Sequence, residues 1–332
     1  MESGWKGDVM RVRTKAVWVG SCVIIAALTS GACSQIATLQ ARKAFKEANA
    51  LYAQQEYRKA ADKYEETVTA APDDPDLATA YFFLGNSYDN LYRPARKGEP
   101  ANDELLTKAI ENYKLASEKI PAEPEEYRKY RTLSLQYLVS AYGSDKLNDP
   151  SQAEPVLLKM IEMDPKDPSS YFYLGKLYED SGSYDQAEAT YLKAREVRPD
   201  DSSVYMQLAG YYNRQGEFEK TMEALHQRAS KEPDNPEAHY YIANYYWDKV
   251  FRDFRLREAE KRDYISKGLA AVDKAIQIKP DYIEAITYRG LLLRLEANLE
   301  KNADRQRALL REAEELQGRA RDLQKKRTAG VS

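Results

Sequence analysis

The stretch YFYLGKLYEDSGSYDQAEATYLKAREVRP, residues 171–199, recurs 34 residues further along the chain with its large, small and turn positions in register. Tyr171 returns as Tyr205, and Pro199 returns as Pro233. The pairs between them are Leu174 and Leu208, Gly175 and Ala209, Tyr178 and Tyr212, Gly182 and Gly216, Tyr184 and Phe218, Ala187 and Thr221, Tyr191 and Leu225, and Ala194 and Arg228. A fixed period of this length indicates a chain built from tandem structural repeats.

The spacing within the repeat predicts two antiparallel helices joined by a tight turn. Gly175 and Ala187 stand where the two helices approach each other closely, because neither has a bulky side chain. Gly182 stands at the turn, and Pro199 ends the second helix because it lacks an amide hydrogen. One such pair cannot bury its own apolar face, so several pairs are expected to stack.

This repeat resembles the tetratricopeptide repeat, which has an aromatic residue, Leu, Gly and Tyr in its first helix and Ala, an aromatic residue and Pro in its second. The match is strongest over residues 168–233. The resemblance implies an all-α fold, a right-handed α-solenoid of about seven stacked helix-turn-helix repeats with a long C-terminal capping helix. Further copies are predicted at residues 41–72, 81–121, 135–165, 242–280 and from 286 onward, with insertions at residues 93–104 and 251–263.

The domain boundaries follow from this template. We expect a signal peptide or membrane anchor at residues 1–32, a linker at 33–40, the solenoid at 41–298, the capping helix at 299–326 and a tail at 327–332. The capping helix carries Leu309, Ala313, Leu316, Ala320 and Leu323, four and three residues apart in turn. That spacing is typical of a coiled-coil seam and equally of a cap for the final repeat. The stripe is short for a coiled coil, so the cap is the preferred interpretation.

The first residues have the parts of an export signal. Arg11, Arg13 and Lys15 precede an apolar run over residues 16–28, and small residues follow at 30–32. An uncleaved anchor helix is the alternative, although the run is short for a membrane span. In both cases the basic residues stay inside and the rest of the chain crosses the membrane.

Cys33 ends the sequence LTSGAC, which resembles a bacterial lipobox, the motif whose cysteine becomes acylated. Ser30 departs from that motif, because Leu usually stands there. Removal of residues 1–32 removes Cys22 and leaves Cys33 as a single thiol, which acylation would use. We therefore predict lipidation at Cys33, with an ordinary signal peptide and an uncleaved anchor as alternatives.

Composition and motifs argue against several classes of function. The net charge is −3 with both signs mixed, whereas a nucleic-acid binder needs a basic face. The sequence has no phosphate-binding loop, dinucleotide fingerprint or nucleophile elbow. Its two histidines, His226 and His239, lie in different repeats without metal-ligand spacing. We expect no catalytic residues, no metal, no cofactor and no enzymatic activity.

The resemblance implies a partner-binding surface along the first helix of each repeat, on the concave side. Aromatic and Asn residues recur there, and rings offer contact area while an Asn amide bridges a peptide backbone. The predicted partner-binding residues are Phe45, Asn49, Tyr52, Phe82, Asn86, Phe172, Lys176, Met206, Tyr240, Asn244 and Trp247. The alternative is that these rings pack against neighbouring helices.

The predicted partner is a protein that presents an extended peptide or an amphipathic helix. The two-carboxylate clamp of chaperone-binding relatives is not supported, because Glu237 and Tyr241 stand where it needs basic residues. By resemblance to bacterial envelope repeat lipoproteins, we expect a periplasm-facing scaffold, anchored at a membrane, that assists assembly of an envelope complex. The alternatives are an inner-membrane-anchored recruiter or regulator, and an accessory subunit of envelope polysaccharide metabolism.

Overall fold

The computed structural model describes residues 35–330, and every regular element in that range is helical. Two short 3-10 turns accompany the α-helices, at Pro75–Leu77 and Pro94–Arg96. The α-helices are α1 (35–53), α2 (Tyr57–Ala70), α3 (Thr79–Leu91), α4 (Pro100–Lys119), α5 (Glu125–Tyr142), α6 (Pro150–Met163), α7 (Pro168–Asp180), α8 (Tyr184–Val197), α9 (Ser202–Arg214), α10 (Phe218–Lys231), α11 (Pro236–Arg252), α12 (Glu258–Ile278), α13 (Ile283–Leu299) and α14 (Ala303–Thr328). The predicted all-α, solenoid-like architecture of tandem helix pairs is confirmed for these residues.

Helices α7 and α8 show how the repeat sequence forms a helix pair. The Asp167 side chain accepts a hydrogen bond from the Ser169 amide at 3.0 Å, and an N-cap of this kind stabilises a helix by about 1 kcal/mol. Gly182 has a φ of +76° in the turn, a conformation that residues with a Cβ rarely adopt. A Cβ at Gly175 would lie 3.1 Å from the Tyr191 ring, tighter than an ordinary van der Waals contact, so the two helices approach each other closely at this position.

A hydrogen bond joins consecutive repeats at equivalent positions. Near the start of a first helix, a polar ring reaches the carbonyl oxygen of the proline that closes the preceding repeat. These inter-repeat hydrogen bonds are Tyr81 to Pro72 at 3.1 Å, Tyr171 to Pro165 at 3.1 Å, Tyr205 to Pro199 at 2.6 Å and His239 to Pro233 at 2.9 Å. The aromatic residue therefore buries its ring and satisfies a backbone acceptor at once.

The third helix pair departs from this pattern. Helices α5 and α6 are not closely paired within the described chain, unlike α7 and α8. Their connection spans residues 143–149, whereas α7 and α8 are joined by residues 181–183. The described part of the chain divides into two compact units within α6, residues 35–160 and 161–330. This agrees with the degenerate repeat pattern of residues 135–165.

The last helix packs along α13. Ala313 and Ala320 of the predicted stripe are buried, and a Cβ at Gly290 would lie 3.3 Å from the Ala313 carbonyl oxygen. The Leu and Ala stripe of α14 therefore packs against α13, as the cap interpretation requires. Helix α14 is also the second helix of the seventh pair.

The ends of the chain differ in part from the predicted boundaries. Residues 35–40 are helical rather than a linker, because they contain neither Gly nor Pro and simply extend α1 upstream. The predicted export segment, residues 1–32, and Cys33 lie outside the described residues. Within residues 35–330, no helix combines the length and the apolar character that a bilayer span requires.

Candidate partner-binding surfaces

In the first unit, Phe82 lies in the core rather than on an open surface. Its side chain is only 5% exposed. Its ring lies 5.3 Å from the Tyr130 ring, 5.8 Å from Tyr137 and 6.2 Å from Tyr113, measured between centroids. The prediction that Phe82 faces a partner is wrong for this structure, because α5 places two tyrosine rings against it.

Asn86 is also buried, and its amide is used inside the protein. Its oxygen accepts a hydrogen bond from the Tyr52 hydroxyl at 2.5 Å, and its nitrogen donates to the Tyr113 hydroxyl at 3.3 Å. Asn90 donates to the same Asn86 oxygen at 2.8 Å. The prediction that Asn86 bridges a partner's backbone is therefore wrong as well, since neighbouring side chains occupy the amide.

The three candidates on α1 lie at the edge of the same packed region. The Tyr52 ring meets the Phe83 ring edge-on at 5.2 Å, and burial raises the pKa of Tyr52 to about 12. Phe45 is half-buried, 6.1 Å from the Tyr64 ring. Asn49 is exposed, although its oxygen accepts from the Tyr64 hydroxyl at 2.7 Å. Of the five candidates in this unit, only Asn49 is exposed.

An ion pair beneath this region was not foreseen from the sequence. Lys146 Nζ lies 2.5 Å from the Asp89 carboxylate, and both side chains are mostly buried. The Tyr113 hydroxyl also donates to Asp89, at 3.4 Å. Lys146 lies in the irregular connection after α5, where the repeat template has no position, so no pattern pointed to it.

We call the packed rings of this unit the first-unit aromatic cluster; its members are Phe45, Tyr52, Tyr64, Phe82, Phe83, Tyr113, Tyr130 and Tyr137.

In the second unit, the candidates on α7 and α9 are partly open. Phe172 and Met206 are half-buried and pack against the core with one side. Lys176 is exposed and forms an ion pair with Asp180 one turn later on α7. These positions leave some side-chain surface available to a partner.

The candidates on α11 form a row along one helix face, which we call the α11 stripe: Tyr240, Asn244 and Trp247. All three are half-buried. Their spacings of four and three residues place them on the same side of the helix. The stripe presents two rings with a carboxamide between them.

Neighbouring rings hold the stripe in place from one side. The Tyr240 ring lies 5.3 Å from Tyr288 and 5.6 Å from Tyr282, and burial raises the pKa of Tyr240 well above its usual value. The Trp247 ring stacks on Phe251 at 4.8 Å and meets Tyr288 edge-on at 5.4 Å. Sequence reasoning missed Tyr288 and Phe251, because one lies in a weak repeat and the other in an insertion.

Two arginine sites join consecutive repeats of this unit. Arg214 contacts the Glu179 carboxylate at 2.6 and 2.9 Å, and this hydrogen bonding holds the pKa of Glu179 below its usual value. Buried Arg228 lies 3.1 Å from Glu237 and 5.3 Å from the centre of the Tyr241 ring. Glu237 and Tyr241 therefore both contact Arg228 of the preceding repeat.

The remaining polar groups offer no metal-binding geometry in the described part of the chain. Among residues 35–330, no three His, Cys, Asp or Glu side chains form a group that could hold a metal ion. His239 contacts the Pro233 carbonyl oxygen as part of the repeat structure.

Comparison with known proteins gives the repeat type and the fold. Models of the tetratricopeptide repeat match residues 45–111 and 146–210. The C-terminal part of a TPR repeat-containing protein from Cytophaga hutchinsonii has a TM-score of 0.54 at 15% identity, over 84% of this chain and 98% of that chain. This likeness shows the fold alone.

Two other solved structures are less similar. A tetratricopeptide repeat protein from Parabacteroides merdae has a TM-score of 0.46 at 13% identity, over 83% of this chain and 99% of that chain. The MamA protein has a TM-score of 0.41 at 19% identity, over 60% of this chain and 94% of that chain. No curated protein sequence matches the chain.

Proposed function

We propose that this protein binds an amphipathic helix or an extended peptide through the α11 stripe. The proposal starts from its tetratricopeptide repeats, which are matched at residues 45–111 and 146–210 and form a scaffold for protein–protein interaction. The observation that carries this proposal is the half-open row of Tyr240, Asn244 and Trp247. Its rings are ordered by their neighbours, so a partner gains contact area with little loss of side-chain entropy.

The chemistry of the stripe fits a peptide with apolar anchors. Each ring offers a flat apolar surface for a side chain spaced one turn from the next, as in helix-in-groove recognition. The Asn244 carboxamide has both a donor and an acceptor, which is what a peptide backbone requires. Phe172 and Met206 extend the same kind of surface on α7 and α9 of this unit.

We place this activity at a bacterial envelope membrane, with the repeats facing the periplasm. The support is the order of basic, apolar and small residues over residues 11–32, followed by Cys33. In this role the protein holds an envelope complex together or assists its assembly. The rival proposal is an uncleaved inner-membrane anchor, with the repeats recruiting an enzyme or regulator.

Mass spectrometry of the mature N-terminus separates the two anchoring proposals. We expect the chain to begin at Cys33 with acyl groups attached. An N-terminus at Met1 would overturn lipidation and favour the uncleaved anchor. A chain that begins near residue 33 without acylation would identify an ordinary signal peptide.

Site-specific photo-crosslinking tests the stripe. We expect a protein crosslink when p-benzoylphenylalanine replaces Trp247, and no crosslink when it replaces Tyr173, an exposed ring on α7 outside the stripe. Adding Asn244→Ala should reduce the Trp247 crosslink. Equal crosslinking at both positions would contradict a specific site on α11.

A further inference from the structure

The tip where α11 ends and the chain turns into α12, residues 251–257, carries two phenylalanines that face solvent. The exposed fraction is 63% for Phe251 and 87% for Phe254. The tip falls in the insertion predicted from the sequence, so the repeat pattern assigns it no packing role. Two large apolar side chains this exposed within four consecutive residues are unfavourable in water and indicate an interaction site.

Local contacts hold these rings outward. Phe251 stacks on Trp247, and the Asp253 carboxylate accepts hydrogen bonds from the Arg255 amide and from Lys249 Nζ, both at 3.1 Å. The Leu256 amide closes the turn on the Asp253 carbonyl oxygen at 3.3 Å. The turn is therefore ordered around Asp253, and Phe254 stands at its outer end.

The charges of the tip are arranged with the bases outside and the acids inside. The arginine side chains are 76% exposed at Arg252, 82% at Arg255 and 81% at Arg257. Their acidic partners are far less exposed, at 39% for Asp248, 15% for Asp253 and 37% for Glu260. Although each arginine has a partner, the surface that the tip presents to another molecule is cationic.

We propose that this tip binds the surface of a lipid bilayer that contains anionic phospholipid. Phe251 and Phe254 enter the boundary between headgroups and acyl chains, while Arg252 and Arg255 contact phosphate groups. Exposed rings beside exposed arginines match a surface with an apolar interior and anionic groups at its boundary, which a bilayer of anionic phospholipid provides. Aromatic rings flanked by arginines suit this interface, because the guanidinium groups remain in the headgroup layer.

This contact is a different one from peptide binding by the α11 stripe and from lipidation at Cys33. Phe251 stacks on Trp247 of the stripe, but neither ring of the tip is a member of the stripe, and the tip lies far along the chain from the export segment. Membrane binding by the tip adds a second attachment to an acyl anchor, and two weak attachments together hold a protein on a membrane more firmly than either one.

The test uses the full chain with its three tryptophans, Trp5, Trp18 and Trp247, changed to phenylalanine. In that background, Phe254→Trp places a single fluorescent probe at the tip. Leu158→Trp is the matched control, since Leu158 is an exposed apolar residue on another helix. Both proteins are mixed with vesicles of phosphatidylethanolamine and phosphatidylglycerol, with and without brominated acyl chains. Flotation measures how much of each protein is vesicle-bound.

We expect the Phe254→Trp emission to shift to shorter wavelength on the vesicles and to be quenched by the brominated lipid. The Leu158→Trp emission should not change, although the two proteins share the same N-terminal attachment to the vesicles. Phe251→Ser, or Arg252→Gln with Arg255→Gln, should return the tip probe to its emission in buffer, as should vesicles of phosphatidylcholine alone.

A water-exposed tip probe on a vesicle-bound protein would overturn the proposal. Equal quenching of the tip and control probes would overturn it too, because the contact would then be non-specific. If the emission of the tip probe does not change with lipid but shifts to shorter wavelength with polyglutamate, the partner is an acidic protein surface instead. Crosslinking at Trp247 is a separate experiment on a chain whose tip is unsubstituted, so failure of the membrane proposal and failure of the proposed function are distinguishable.

Discussion

Equivalent repeat positions differ in burial between the two units. Phe82 on α3 and Tyr240 on α11 both occupy the fifth position of a repeat, yet Phe82 is buried and Tyr240 is half-open. The difference lies in the first helix of the next repeat. Helix α5 presents Tyr130 and Tyr137 to Phe82, whereas α13 presents Tyr288 to one edge of Tyr240. The repeat pattern thus sets the direction of a side chain, and the following helix decides whether it is covered.

The largest loss of stability is expected from Phe82→Ala, because Phe82 is the buried member of the compared pair. Removal of a buried aromatic ring typically costs about 3–5 kcal/mol, because a cavity remains. Urea unfolding monitored by helical circular dichroism gives the change in free energy. Tyr240→Ala is the matched variant, and we expect it to cost about 1–2 kcal/mol, since that ring is only half-buried. Equal losses would show that the two rings are packed alike.

Lys146→Ala should destabilise the first unit by about 2–3 kcal/mol. It leaves the mostly buried Asp89 carboxylate without its cation, and some solvent access to Lys146 reduces the cost from the fully buried case. The same unfolding experiment measures it. Arg96→Ala removes an exposed ion pair with Glu99 and should change stability by less than about 0.5 kcal/mol. A small effect of Lys146→Ala would mean that the pair is solvated in solution.

Asn244→Ala should weaken partner binding about tenfold and leave the melting temperature nearly unchanged, because the side chain is half-open. Phe172→Ala should also weaken binding, with a modest loss of stability because one side of the ring packs on the core. Affinity capture of the partner with each variant, beside a thermal melt, separates binding from folding. Strong destabilisation by Asn244→Ala would place the α11 stripe in the core, as in the first unit.

Acid should remove a small contribution from the Glu179–Arg214 pair. The pKa of Glu179 is lowered in the folded protein, so its contribution is present above the ordinary value of 4.5 and is lost as pH falls below it. Glu179→Gln should therefore cost about 1 kcal/mol at neutral pH and much less in acid, since Arg214 is partly exposed. Unfolding curves at both pH values measure the difference. A loss that does not depend on pH would contradict the ionic origin.

The smallest effect is expected from Tyr173→Ala. Tyr173 is half-exposed on α7 between two residues that have structural or binding roles, and the repeat pattern gives it none. A surface change of this kind alters stability by less than about 0.5 kcal/mol. Unchanged unfolding and unchanged partner capture would confirm that adjacent aromatic residues on one helix have separable roles.

The helix pairs could be predicted from the sequence, because residues within each repeat mark where its helices begin, turn and end. Gly175, Gly182 and Pro199 mark a close approach, a turn and a helix end, and the two glycines meet those requirements in the structure. The stripe on the last helix was likewise readable as a cap. Such features depend on residues close in sequence, which a single chain displays directly.

The candidate site was less predictable, because coverage by another helix is a tertiary property. Nothing in the local pattern around Phe82 or Asn86 shows that Tyr130, Tyr137 and Tyr113 will close over them. Phe251 and Phe254 lie in an insertion, where the template makes no statement about orientation.

The inter-repeat hydrogen bonds have a consequence for how such a chain lengthens during evolution. A bond such as Tyr171 to Pro165 fixes the distance between the end of one repeat and the start of the next. The Tyr81 to Pro72 bond spans nine residues and the other three span six, and the 3-10 turn at Pro75–Leu77 takes up the extra length without separating donor and acceptor. Both insertions, 93–104 and 251–263, fall inside a repeat, where α3 gives way to α4 and α11 to α12. Added residues at a proline junction are therefore folded into a short turn that keeps the hydrogen bond, and the turns within repeats are where new exposed surfaces arise.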